Sequence, residues 1–148
     1  MKQEFKVTGL EELMDSLKAM TSPDFADNAL RKGLAQGGKL VQGTAKRLCP
    51  VDTSRLHDSI EVTSIPNGVD IGTDVPYATY VEFGTGQNGD PSVEHVFMKE
   101  SEKEPGVFYD YMGQAPQPYL YPALEAHKAE IKDIVQNTLQ EEIRKAVR

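Results

Sequence analysis

An α+β fold, with a mostly antiparallel sheet of about four strands packed against two long helices, follows from three features of the sequence. A glycine-rich helical pattern runs from Pro23 to about Leu48. Two short apolar runs flank Pro66-Asn67-Gly68, a hairpin signal. A final apolar stripe repeats at helical spacing from Leu124 to Ala146.

The elements follow in chain order. Residues 2–8 alternate and include Phe5 and Val7, which predicts a short strand. Thr8-Gly-Leu-Glu11 fits a capping box, in which Thr8 accepts from the Glu11 amide while Glu11 reaches back. Leu10, Leu13, Met14 and Leu17 then share one face of a short, peripheral helix that ends near Met20. Ser22 caps the next helix, and Pro23 takes its first position, where a missing N–H costs nothing. Gly33, Gly37, Gly38 and Gly43 lie in its interior, each costing up to ~1 kcal/mol relative to alanine. Such a helix needs tertiary support. Ala26, Ala29, Gly33 and Gly37 give it a face of small side chains that another backbone can approach closely.

Pro50 stops this helix, and Asp52, Thr53 and Ser54 form a polar turn. Leu56 to Ile65 reads mainly as a strand. Asn67-Gly68 suits the positive φ of a tight turn, and Val69 to Thr73 is the return strand. Pro76 starts a further strand, Tyr77–Phe83, with Tyr77, Thr79, Val81 and Phe83 on one side and Ala78, Tyr80 and Glu82 on the other. Tyr77 and Tyr80 read as core or sheet-face residues. Glu82 has two readings: an acid facing solvent, or a structural partner of Arg55, Arg47 or a base on a neighbouring subunit. Residues 86–117 form a long flexible loop or arm, with Val93–Met98 and Val107–Tyr111 as hairpin strands. Pro116 and Pro118 forbid helix before Pro122, which opens the terminal helix. Leu124, Ile131, Ile134, Val135, Leu139, Ile143 and Ala146 form its stripe, and Arg144, Lys145 and Arg148 suit its C-terminal dipole.

The 148 residues, 39% of them hydrophobic, fit one domain spanning 1–148. A net charge of −7 argues against simple binding to a nucleic-acid backbone, which needs clustered Lys and Arg. It allows an acidic surface past which DNA slides. No apolar run approaches the roughly 20 residues of a membrane span, and Met-Lys-Gln-Glu-Phe is no signal peptide. Synthesis in a cytoplasm is expected, with Cys49 a reduced thiol packed as a small hydrophobe.

Catalytic chemistry finds little support. Gly84-Thr-Gly-Gln-Asn-Gly89 matches a dinucleotide fingerprint in form, but Asp90-Pro91 blocks the helix that must follow. Asp52 and His57 are too loosely spaced to define a metal site, His57 and Asp58 would face opposite sides of a strand, and His57, His95 and His127 lack zinc-motif partners. Ser54 and Ser59 have no nucleophile elbow, and Cys49 no placed histidine. No catalytic residue, metal or cofactor is expected.

Three ordered segments carry the functional signal. The first is Pro50-Val-Asp-Thr-Ser-Arg-Leu-His-Asp-Ser-Ile60. The second is Tyr77-Ala-Thr-Tyr-Val-Glu-Phe-Gly-Thr85, and the third Pro116-Gln-Pro-Tyr-Leu-Tyr-Pro-Ala-Leu124. Together they resemble the neck or tail-completion proteins of long-tailed bacteriophages, over roughly residues 25 to 148. Ser54 stands where that family usually has Gly, and Tyr119 where it usually has Phe. The resemblance implies a non-enzymatic virion protein of a phage or prophage, made in the host cytoplasm and placed at the head–tail junction. Its partners would be other neck and tail proteins and copies of itself, in a ring, with six copies the expected number. No membrane or specific nucleic acid is implied, although DNA would pass through the lumen. Pro50, Asp52, Thr53, Leu56, Tyr77, Tyr80, Pro118, Leu120 and Pro122 match the motifs and are expected to be structural. Glu82, Phe83, Gly84 and Thr85, with Phe108, Tyr109 and Tyr111 of the arm, are the expected assembly contacts. Alternatives are a tail-terminator ring protein of the same apparatus and a small metal-dependent nuclease using Asp52, Asp58 and Glu82.

Overall fold

The computed structural model describes residues 2–4, 11, 14–15, 23–51, 54–94 and 98–147. The elements are β1 (Lys2–Glu4), α1 (Pro23–Leu48), α2 (Arg55–Ser59), β2 (Glu61–Ile65), β3 (Gly68–Gly72), α3 (Ala78–Phe83), β4 (Met98–Glu100), β5 (Phe108–Asp110) and α4 (Leu120–Val147). The fold is α+β. Its strands divide into an antiparallel sheet in the order β1-β3-β2 and a separate β4-β5 hairpin, in place of one sheet of about four strands.

The central element is α1, which meets β2 and β3 on one side and α4 on the other. Its glycines make that position possible. A Cβ on Gly33 would lie 3.0 Å from the Val135 Cα of α4, and one on Gly38 would lie 2.8 Å from Val62 Cγ1 of β2. The expected close approach of another backbone is therefore present, and α4 supplies that backbone. Leu30, Leu34, Val41, Val69, Ile71, Ile131 and Val135 fill the core around α1. The stripe on α4 buries Ile131, Val135 and Leu139, with Thr138 among them. At the far end, Lys32 Nζ binds Glu142 Oε1 at 2.6 Å and ties the two helices together.

The hairpin signal is confirmed with a different turn. Ile65 pairs with Gly68, so Pro66-Asn67 forms the loop. Proline holds a negative φ at the first turn position, and Ser54 is the one described non-glycine residue with positive φ. The tight turn therefore does not use the Asn-Gly positive-φ pair.

Four other expectations need correction. Leu56–Ile65 is not mainly strand, because Arg55–Ser59 is helical before β2 begins. Tyr77–Phe83 is not a strand, because Ala78–Phe83 form α3. Helical spacing places Ala78 and Glu82 on the buried side, one turn apart. Tyr77 and Tyr80 turn outward, and Tyr80 keeps 59% of its surface exposed. The arm strands are Met98–Glu100, which meets the expected Val93–Met98 only at Met98, and Phe108–Asp110, which lies within the expected Val107–Tyr111. Finally, α4 begins at Leu120, with Pro122 inside its first turn. Near the N-terminus, Glu11, Met14 and Asp15 are helical, and Met14 packs against the core. The Thr8 cap, the Ser22 cap, Asp52, Thr53 and His95 lie outside the described residues.

Candidate functional site

The site starts from one buried acid. Glu82 keeps 2% of its surface exposed, between α3 and the start of α4. Its Oε2 accepts the backbone N–H groups of Tyr119 at 2.9 Å and Leu120 at 3.0 Å, and its Oε1 accepts that of Tyr121 at 2.9 Å. A helix leaves four N–H groups unpaired at its N-terminus. Here Glu82 takes three, and Pro122 has no fourth to offer. The negative charge also opposes the positive end of the helix dipole. Glu82 is thus neither a solvent-facing acid nor the partner of Arg55 or Arg47. Its position inside the chain also removes it from any assembly surface.

The same region holds Tyr119, fully buried, whose hydroxyl has no hydrogen-bond partner among the described residues. Burial, and next the Glu82 charge, push its phenol up. Burial likewise raises the Cys49 thiol, with Glu82 again second, so the thiol is neutral at ordinary pH.

Beyond Glu82 the chain leaves the body and returns, and the outgoing and returning segments are clasped by hydrogen bonds. Thr85 N–H donates to the Gln114 carbonyl at 2.9 Å, and Gln114 N–H returns to Thr85 Oγ1 at 3.0 Å. Gln117 N–H donates to the Val81 carbonyl at 2.8 Å, and Asp90 N–H to the Phe83 carbonyl at 2.7 Å. Gly84 at φ 72° and Gly113 at φ 69° make the contact possible. A Cβ on Gly84 would sit 2.5 Å from the Gln114 carbonyl, and one on Gly113 would overlap the Thr85 backbone. Thr85 Oγ1 and Tyr111 Oη lie 3.2 Å apart. That bond, with the Lys99 charge behind it, lowers the Tyr111 phenol pKa.

Two open clefts flank this root. One, of about 470 Å³, is lined by Tyr77, Tyr80, Thr85, Tyr111 and Gln114. The other, of about 450 Å³, is lined by Pro50, Ser54, Leu56, Tyr77 and Gln117. Of the arm, Tyr111 lines the first cleft, and residues 98–110 line neither. The arm residues from Glu102 to Asp110 are all exposed, including Phe108 at 58% and Tyr109 at 50%. An isolated two-stranded hairpin is marginal in water, and this one exposes its aromatic residues among charged ones.

A family model described as "Bacteriophage HK97-gp10, putative tail-component" matches residues 11–84, half of the chain. The chain belongs to the HK97-gp10-like family. It is therefore a phage tail component, which places it in the virion among other tail proteins. No curated protein and no solved structure gives a significant match.

The matched segment of this HK97-gp10-like chain runs through α1, the β2-β3 hairpin and α3, and ends at Gly84. Of the expected assembly contacts, Phe83, Gly84, Thr85 and Tyr111 come together at the root, and Phe108 and Tyr109 project on the arm. Met98 and Met112, exposed at 52% and 54%, join that surface and were not singled out from sequence. Their signal is the apolar spacing of the arm among its charges. Among the motif residues, Leu56 and Leu120 are core, while Tyr77 and Tyr80 line the first cleft.

Among the described residues, no three His, Cys, Asp or Glu side chains are grouped to hold a metal. Thr44 Oγ1, His127 Nε2 and His127 Nδ1 with Glu130 Oε2 form a relay at 2.6 and 3.0 Å. Thr44 is buried at 9% exposure, and neither described cleft borders it. The relay joins α1 to α4. No helix is long and apolar enough to cross a membrane among the described residues.

Proposed function

We propose that this tail component acts at the neck of the virion, joining head to tail or completing the tail, without catalysis. It works as a homo-oligomeric ring, with six copies the expected number, bound to other neck and tail proteins. It docks after synthesis in the host cytoplasm, and DNA passes through the lumen of the ring. The observation that carries this reading is the arm. A charged hairpin that leaves Val107, Phe108 and Tyr109 exposed, with every residue from Glu102 to Asp110 at the surface, packs against no other part of the described chain. Its root, by contrast, is rigidly clasped by Thr85, Gly113 and Gln114. A stiff mount with an uncovered tip is a geometry suited to docking.

The test removes residues 99–109 and closes the gap with a short turn, leaving the Thr85–Gln114 clasp in place. The expected product folds, and phage carrying it yields heads and tails that remain unjoined. Infectious, fully tailed particles from a folded deletion protein would refute the proposal.

A further inference from the structure

From Asn28 to Leu48, α1 carries five basic residues and no acid, in a chain of net charge −7. Lys32 is held by Glu142, and Arg31 reaches the Pro66 carbonyl. Lys39 is exposed and has no hydrogen bond or ion pair among the described residues, and Arg47, also exposed, donates from Nη2 to Thr44 Oγ1 at 2.6 Å. Gly43 sits in their midst. Lys39 lies one turn before it, and Lys46 and Arg47 one turn after, so all three border it on the helix surface.

Nothing among the described residues explains Gly43. Its neighbours in sequence, Gly33, Gly37 and Gly38, are each pressed against α4 or the sheet. Gly43 is exposed, and a Cβ built on it would meet nothing within 4 Å. A glycine in a helix interior weakens the helix. An approach from outside the chain gives this one a use.

The arm has complementary chemistry. Phe108 and Tyr109 project among Glu100, Glu102, Glu104 and Asp110, with Lys99 and Lys103 the bases, so Met98–Asp110 has four acids, two lysines and net charge −2. Within the arm, an aromatic ring already takes a cation, since Lys99 Nζ lies 3.9 Å from the centre of the Tyr111 ring. An aromatic side chain laid on a bare glycine would be flanked by lysine and arginine stems, with ammonium and guanidinium groups near its face. Glutamates beside it would meet the same cations.

We propose that Gly43, with Lys39, Lys46 and Arg47 around it, is the seat for the Phe108–Tyr109 arm of a second copy of this chain. The contact joins two different surfaces, so it runs head to tail and generates a closed ring when the rotation per copy allows it. This inference rests on the ring reading above. A nucleic-acid backbone would use the cations but would leave the bare glycine and the acidic, apolar arm without a role.

Sedimentation velocity and thermal melting of the full-length protein test it. Gly43→Gln covers the seat and improves the helix, so this variant melts higher than wild type while its assembly weakens at least about tenfold. Lys39→Glu with Lys46→Glu also loses assembly, and adding Glu102→Lys with Glu104→Lys in the same chain restores it. If Gly43→Gln or the double glutamate variant assembles like wild type, the inference falls and the ring reading stands. A wild type that stays monomeric at high concentration and low salt overturns both. Unchanged assembly with lost binding to a short DNA duplex in the double glutamate variant assigns the face to nucleic acid and also overturns the inference.

Discussion

Ser54 holds φ at 58° and ψ at −11°, in the left-handed region, at the position where the resembling neck proteins carry glycine. A side chain there costs roughly 1–2 kcal/mol of local strain. Tyr119 buries a hydroxyl that has no partner among the described residues, at the position where those proteins usually carry phenylalanine. An unpaired buried hydroxyl costs about 1–3 kcal/mol. Both departures point the same way. Ser54→Gly is expected to stabilise by about 0.5–1 kcal/mol, since glycine also loosens the unfolded chain. Tyr119→Phe is expected to stabilise by about 1 kcal/mol, and urea unfolding measures both. Glu82 is the opposite case. Glu82→Gln keeps the shape but aims an amide N–H₂ at backbone donors and removes the charge facing the helix end. A loss of about 3 kcal/mol in urea unfolding is expected.

At the level of elements, α1 offers one substitution with two signs. Gly33→Ala drives a Cβ to 3.0 Å from the Val135 backbone, which cannot swing aside, and a net loss of about 1 kcal/mol is expected. Gly43→Ala adds a Cβ in open space and is expected to gain up to about 1 kcal/mol from helix propensity. Thermal melts of the two variants check the pair. The long helices and the β2-β3 hairpin were legible in the sequence because each repeats its period long enough to identify it. Short elements were not. Ala78 and Glu82 share a face at strand spacing and at helix spacing alike, and the aromatic, β-branched residues around them favour a strand. Tertiary contact decides in favour of helix, through an acid whose partners lie 37 to 39 residues downstream. The assembly residues were legible in part. The aromatic cluster of the arm showed itself by composition, whereas the clasp at its root depends on backbone bonds between Thr85 and Gln114, which no local pattern encodes.

Over the whole molecule, the order of layers is sheet, α1, α4, and the Lys32–Glu142 bridge joins the last two far from Glu82. Lys32 first, and Lys145 next, hold the Glu142 carboxyl below its ordinary value. A depressed carboxylate contributes stability above its unfolded pKa and loses it as pH falls through the folded value. The melting difference between wild type and Glu142→Gln is therefore expected near neutrality and should vanish in acid, once the pH has fallen through the lowered Glu142 value. It should also shrink in high salt, because both groups face solvent.

The Glu82 clasp has a wider consequence. It brings residue 82 and residues 119–121 together independently of what the chain does between them. The 86–117 segment is thereby a cassette on a closed base, and doubling its length would cost only about 0.6 kcal/mol in loop entropy. A different hairpin grafted between the same two ends should therefore leave the body unchanged.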